Sequence, residues 1–186
     1  MRLGKDLLNK PIYSVLDGRN LGTVKDIYLN NDLTAITGIF TGQEGMIRRK
    51  TYLIPRTAVV VFGIDAILVN NPDVIAEEAE IEEAATWVRL SKLRGREVDT
   101  PNGTKVANIG DIVIGEEGDI AGFTLAKVHV DGPIANKGAI ARTTLIDTGN
   151  TDGVMTIDLT LAETTDLATP PPPPPAKEEE TPAETT

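Results

Sequence analysis

The chain has 186 residues, 40% hydrophobic but only 4% aromatic, with 28 acidic against 18 basic residues and a formal net charge of -10. That length fits one ordinary domain or two small ones, and an apolar load carried by Val, Ile, Leu and Ala suits compact β-structure. The charge disfavours general nucleic-acid binding, and the absence of cysteine excludes disulfides, thiolate metal sites and cysteine nucleophiles.

Met1-Arg2-Leu3-Gly4-Lys5-Asp6 has no apolar run after its charges, so no signal peptide is expected, and no apolar stretch is long enough to predict a membrane span. Asp17-Gly18-Arg19-Asn20 reads as a turn leading into a strand with Val24, Ile27 and Leu29. Asn30-Asn31-Asp32 predicts a hairpin turn, and Ala35 to Thr41 the returning strand. Tyr52-Leu53-Ile54-Pro55, Val59-Val60-Val61-Phe62 and Ala66 to Val69 are the next predicted strands, with Gly63 breaking the run. Short strands at this pace predict a closed or nearly closed barrel.

From Pro72 the chain turns acidic, with Asp73, Glu77, Glu78, Glu80, Glu82 and Glu83 crowded before Trp87. Asn71 or Asp73 as cap, Pro72 at the start and early acids predict a helical or partly helical connector. Beyond it the first pattern recurs. Gly18 and Gly103, and Asp26 and Asp111, stand 85 residues apart; Gly38 and Gly122 stand 84 apart, and Arg56-Thr57 and Arg142-Thr143 stand 86 apart. Such a constant offset is the mark of a duplicated unit. In the second copy Gly115-Glu116-Glu117-Gly118-Asp119 supplies the hairpin turn and Ile120 to Val128 the returning strand. After Leu167, the run Pro170 to Pro175 and an acidic, polar end predict an extended, disordered tail. The proline run is read either as a spacer or as a ligand for a groove of the SH3 type.

The first copy resembles the PRC-barrel family, named for the H subunit of the photosynthetic reaction centre. Gly18, Leu21, Gly22, Val24, Asp26 and Ile27 match its first strand; Arg48-Arg49-Lys50, Leu53-Ile54-Pro55 and Gly63-Ile64-Asp65-Ala66 match a second stretch. The second copy departs from the pattern, with Ala107 for the glycine, Ala141 for the proline and Gly149-Asn150-Thr151-Asp152-Gly153 for the Gly-x-Asp-Ala stretch. The resemblance implies a small, strongly bent β-barrel used as an adaptor, with no catalytic residues. Known members lie on the cytoplasmic face of photosynthetic membrane complexes or form the C-terminal part of a ribosome-maturation factor. Others occur in stress or cell-division proteins.

The expected architecture is therefore all-β: a PRC-type barrel over residues 1–72, an acidic helical connector over 73–86, a diverged PRC-type barrel over 87–167 and a disordered tail over 168–186. Each copy is expected to carry its own core, and a single shared core counts against the reading. Asp26 and Asp111 have two readings: a carboxylate aimed at a partner, or one that accepts nearby backbone N–H groups or pairs with a base. The cluster Arg48-Arg49-Lys50 contacts anionic lipid, RNA phosphate or an acidic partner, or is a charged hairpin tip that keeps a sheet edge soluble. His129 is the one histidine, Ser14 and Ser91 are the serines, and neither serine stands in a nucleophile motif; Gly110 to Gly115 lacks the Lys-Ser/Thr end of a phosphate loop.

No catalytic residue, cofactor or metal is expected. The reading is a cytoplasmic, non-enzymatic adaptor for protein partners, peripheral to a membrane complex; the alternative is a ribosome- or RNA-associated assembly factor. A ligand sensor has no ligand set to support it. Deletion of everything after Leu167 should leave the thermal unfolding midpoint unchanged, and a large fall would show that the tail is folded into the core.

Overall fold

The computed structural model describes residues 1–167; the proline-rich acidic tail expected over 168–186 lies outside the described residues. The chain is mostly β, in three curled sheets with a few short helices. It begins with β1 (Arg2–Leu3) and a 3-10 turn (Gly4–Leu7), followed by β2 (Pro11–Ser14), β3 (Asn20–Thr23), β4 (Asp26–Leu29), β5 (Ile36–Glu44), β6 (Lys50–Pro55), β7 (Val59–Phe62) and β8 (Ile67–Val69). One sheet runs β3-β2-β8-β7, with β2 and β8 parallel and the other neighbours antiparallel. In another, β4, β5 and β6 are consecutive antiparallel neighbours. Strands β3 and β4 are one path broken at Val24 and Lys25, where Val24 N–H turns to Lys10 O and Lys25 N–H to Phe40 O.

The connector is not a continuous helix. It holds a 3-10 turn at Pro72–Val74, then β9 (Ala76–Glu77) on the edge of β6, then 3-10 turns at Glu78–Glu80 and Glu82–Thr86. The reason lies in the spacing of its apolar residues. Ile81, Ala84 and Trp87 recur every third residue, which aligns on a 3-10 coil and drifts around an α-helix. Their backbone follows the same period: Ala84 N–H donates to Ile81 O at 3.0 Å and Trp87 N–H to Ala84 O at 3.2 Å. All three side chains pack on Tyr28, Leu53 and Phe40 in a small satellite cluster.

Next come β10 (Val88–Arg89), which completes the edge of the second sheet beside β4, and α1 (Leu90–Leu93). The third sheet follows: β11 (Glu97–Asp99), β12 (Lys105–Ile114), β13 (Ile120–Val128), helix α2 (Pro133–Lys137), β14 (Ala139–Ala141), β15 (Leu145–Asp147) and β16 (Met155–Ile157), before helix α3 (Leu159–Thr164). Its order is β14-β13-β12-β11-β16-β15, with β1 paired to β12. The pairings repeat those of the first half. β11 lies parallel to β16 as β2 does to β8, and β12, β13 and β14 are successive antiparallel neighbours as β4, β5 and β6 are. Here the long bulged β12 spans the path that β3 and β4 share in the first half.

The turns before β8 and β16 are each held by a base in the corresponding place: Lys10 Nζ donates to Gly63 O at 2.9 Å, and Arg96 Nη1 to Thr148 O at 2.9 Å and Asn150 O at 2.8 Å. The longer second turn occupies more of the guanidinium's donors, which a lysine does not match.

Buried side chains of both halves form one contiguous cluster, from Leu7 and Ile12 through Ile54 to Phe123 and Ile157, so the separate cores expected of two copies are joined. The joint has a physical cause. The short opening segments cross over: Leu3 pairs with Val113 on β12, and Val88 with Leu29 on β4. Gly4 consequently lies against Ile112 on β12 and Leu90 of the other opening segment.

Two corresponding glycines allow close packing. Gly38 sits under Trp87, where a Cβ would stand 3.3 Å from the indole ring and 3.1 Å from Ile54 O; at Gly122 a Cβ would collide with Ile140 O and the Leu167 side chain. Gly122→Ala should therefore lower stability by about 1–3 kcal/mol, read as a shift in urea midpoint at unchanged slope. No loss at all would mean that β14 and Leu167 do not close over β13.

Candidate interaction sites

Asp26 opens β4 and Asp111 lies within β12, and both are buried, at 6% and 5% exposure. Each carboxylate first accepts the N–H of the next residue, Ile27 at 2.8 Å and Ile112 at 2.9 Å. Each then reaches into the opening segment that has crossed from the other half. Asp26 accepts from the Ser91 hydroxyl and, at 3.3 Å, from Ser91 N–H. Asp111 accepts Lys5 N–H at 2.9 Å and pairs with Arg94 Nη2 at 3.0 Å. The oxygens of both residues are occupied within the chain, in the manner of the backbone-accepting reading rather than of a carboxylate turned outward.

The hairpin turns of the two halves also meet. Ala35 bridges Asp119; Ile36 N–H donates to Gly118 O at 3.1 Å, and Ile120 N–H to Thr34 O at 2.8 Å. Each turn is covered by the other half's arginine. Arg142 Nε donates to Asp32 O at 2.8 Å and Leu33 O at 3.1 Å, while Arg56 Nη2 donates to Glu117 O at 3.2 Å. The repeated Arg-Thr pair marked these positions in the sequence, but nothing local named their acceptors.

Arg48, Arg49 and Lys50 stand at the far end of the β5–β6 hairpin. β4 covers β5 only as far as Phe40, and β9 covers β6 only at Tyr52 and Leu53. Beyond those rungs the hairpin continues as a two-stranded ribbon through Gln43–Thr51 and Glu44–Lys50. Lys50 is tied back at 2.8 Å to Glu77 on β9, and this carboxylate raises its affinity for the proton. Arg48 and Arg49 make no ion pair with any described residue. The apex also carries Met46 and Ile47, 100% and 98% exposed, which charge-based reading of the cluster passed over.

With this geometry in view, the comparison with known families is specific for the first half. Residues 1–74 match the family model of the PRC-barrel domain. The PRC-barrel match takes in β1 to β8 and ends at the first turn of the connector, so β10 and α1, which complete the β4 edge and occupy Asp26, lie beyond it. No curated protein matches the chain.

His129, past the end of β13, is exposed and its Nε2 lies 3.1 Å from Asn108 Oδ1. Ser14 is buried in β2 and Ser91 serves Asp26. Among the described residues no group of three or more His, Asp or Glu is arranged to hold a metal ion, and no helix is long and apolar enough to cross a membrane.

Asp111→Ala would leave Lys5 N–H and the Arg94 guanidinium without their acceptor and should cost about 2–4 kcal/mol in urea unfolding. Hydrogen exchange at the Lys5 amide should quicken in the same variant. If exchange there stayed slow, the carboxylate would not be what holds the opening segment.

Proposed function

We propose that the chain is a non-enzymatic adaptor made of two PRC-type barrel copies, the second diverged, which holds protein partners at a membrane complex on the cytoplasmic side. The PRC-barrel match over residues 1–74 carries the first copy. The second copy is supported by the repeated scheme of one parallel and several antiparallel pairings and by the corresponding roles of Asp26 and Asp111 and of Arg56 and Arg142. The joined core weighs against two independent domains. The adaptor is accordingly one packed unit in which both copies depend on each other.

The non-enzymatic part of the reading rests on the kind of groups on offer. The buried carboxylates are committed to structural donors, and the one histidine is exposed beside an asparagine. The contact surface is assigned to the projecting β5–β6 ribbon, because Arg48 and Arg49 are cations without internal partners in a protein of net charge -10. A cation left outside the internal network is available for an external anion.

Tagged full-length protein purified from its native cell should bring down a defined set of partners and be recovered in the membrane fraction at low salt. Reversing Arg48, Arg49 and Lys50 to Glu should abolish that recovery while leaving the melting temperature within a few degrees. Unchanged recovery would remove the ribbon from the reading. Co-sedimentation with ribosomal particles instead would favour an assembly factor.

A further inference from the structure

The geometry points to the apex of the β5–β6 hairpin as a lipid anchor, with Met46 and Ile47 entering the headgroup layer of an anionic bilayer and Arg48 and Arg49 pairing with its phosphates. The inference rests on the ribbon being the adaptor's contact surface and names what that surface touches.

Three observations combine. Met46 and Ile47 are adjacent, fully exposed and at the outermost turn of a ribbon that has left its sheet, so nothing described in the chain covers them. An isolated exposed apolar residue is ordinary, but two large ones together at a projecting tip are placed to leave water without displacing any other contact. The cations follow immediately in sequence, in the order an interfacial anchor needs: apolar residues at the point, guanidinium groups one step behind at phosphate depth.

The third observation concerns charge. Glu44 faces Lys50 across the ribbon, Glu77 pairs with Lys50, and Glu78 and Glu82 line the groove beside Arg49 on the connector side. Neither Arg48 nor Arg49 is ion-paired with a described residue, Arg48 stands at the apex away from that acidic groove, and Lys25 adds another cation at the ribbon's base, with its Nζ beside Gly42. The protein as a whole carries -10 and is repelled by an anionic surface. Approach to such a surface is therefore favourable through this tip, which fixes the orientation of the protein on it. A protein groove lined with acids offers charge but does not by itself need the two apolar residues to be outermost, whereas a bilayer edge takes both at once.

The test uses the full-length chain and vesicles of phosphatidylcholine with or without phosphatidylglycerol, read by co-sedimentation. The wild type should bind the anionic vesicles and not the neutral ones, and added salt should weaken binding. R48A and R49A should each lower the partition roughly fivefold, the equivalent of about 1 kcal/mol per cation near the surface. M46S/I47S should lose binding at every salt concentration with an unchanged melting temperature. In I47W, emission should shift to the blue and be quenched by brominated lipid, while the wild type's Trp87, packed beside Tyr28, should stay unaffected.

Equal binding to neutral and anionic vesicles, or an indifferent M46S/I47S, would overturn the anchor. If pure vesicles fail while charge reversal still removes native partners, the ribbon's occupant is a protein: the adaptor reading stands and the lipid inference falls. If neither responds, both fall.

Discussion

The fold depends on two buried carboxylates that each hold a segment from the other half of the chain. A buried carboxylate is costly unless its oxygens are satisfied, and here satisfaction comes only when the opening segments have crossed. Asp111 needs Lys5 and Arg94, and Asp26 needs Ser91. These bonds thus act as a condition on the arrangement. A chain in which β1 stayed beside its own half would leave Asp111 short of a donor and the end of β12 without an edge partner. The single continuous core follows, because Leu7, Leu90 and Leu93 travel with the same segments and fill the space between the halves.

The opposite solution appears at the β5–β6 ribbon. Three strands have an edge closed by a short piece of chain: β10 on β4, β1 on β12, and β9 on the middle of β6. Past Phe40 and Tyr52 the sheet ends, yet the hairpin goes on, with Thr and Gln on its rungs and an apex that is apolar and basic. A protein that covers these edges and leaves this hairpin projecting separates a part that is built to stay closed from a part that is presented to the surroundings.

Much of this was legible beforehand wherever the information was local. Val59–Phe62 and Ile120–Val128 form strands over the spans predicted from alternation and turn residues, because period-2 patterning acts within a few residues. The connector misled for an equally local reason: acids, a cap and a proline describe the start of any helical turn, and only the three-residue spacing of Ile81, Ala84 and Trp87 separates a 3-10 coil from an α-helix. Arg48 and Arg49 stood out by charge. Lys50 looked equivalent to them, since its partner Glu77 was assigned to a helix and lies in β9 instead. The crossing of the opening segments was out of reach, because a two-residue strand has no pattern of its own and its partner lies more than a hundred residues away.

That separation bears on how the molecule is made. As the chain leaves the ribosome, Arg2, Leu3 and Lys5 emerge long before the strand and carboxylate that receive them, which lie more than a hundred residues further on. Until then that segment has no docking place, and the matched PRC-barrel region is complete in sequence while still lacking β10 along β4 and the Ser91 donors at Asp26. Final closure is thus a late event across more than a hundred residues, with the entropy of a long loop to overcome and the timing set by synthesis of the second half.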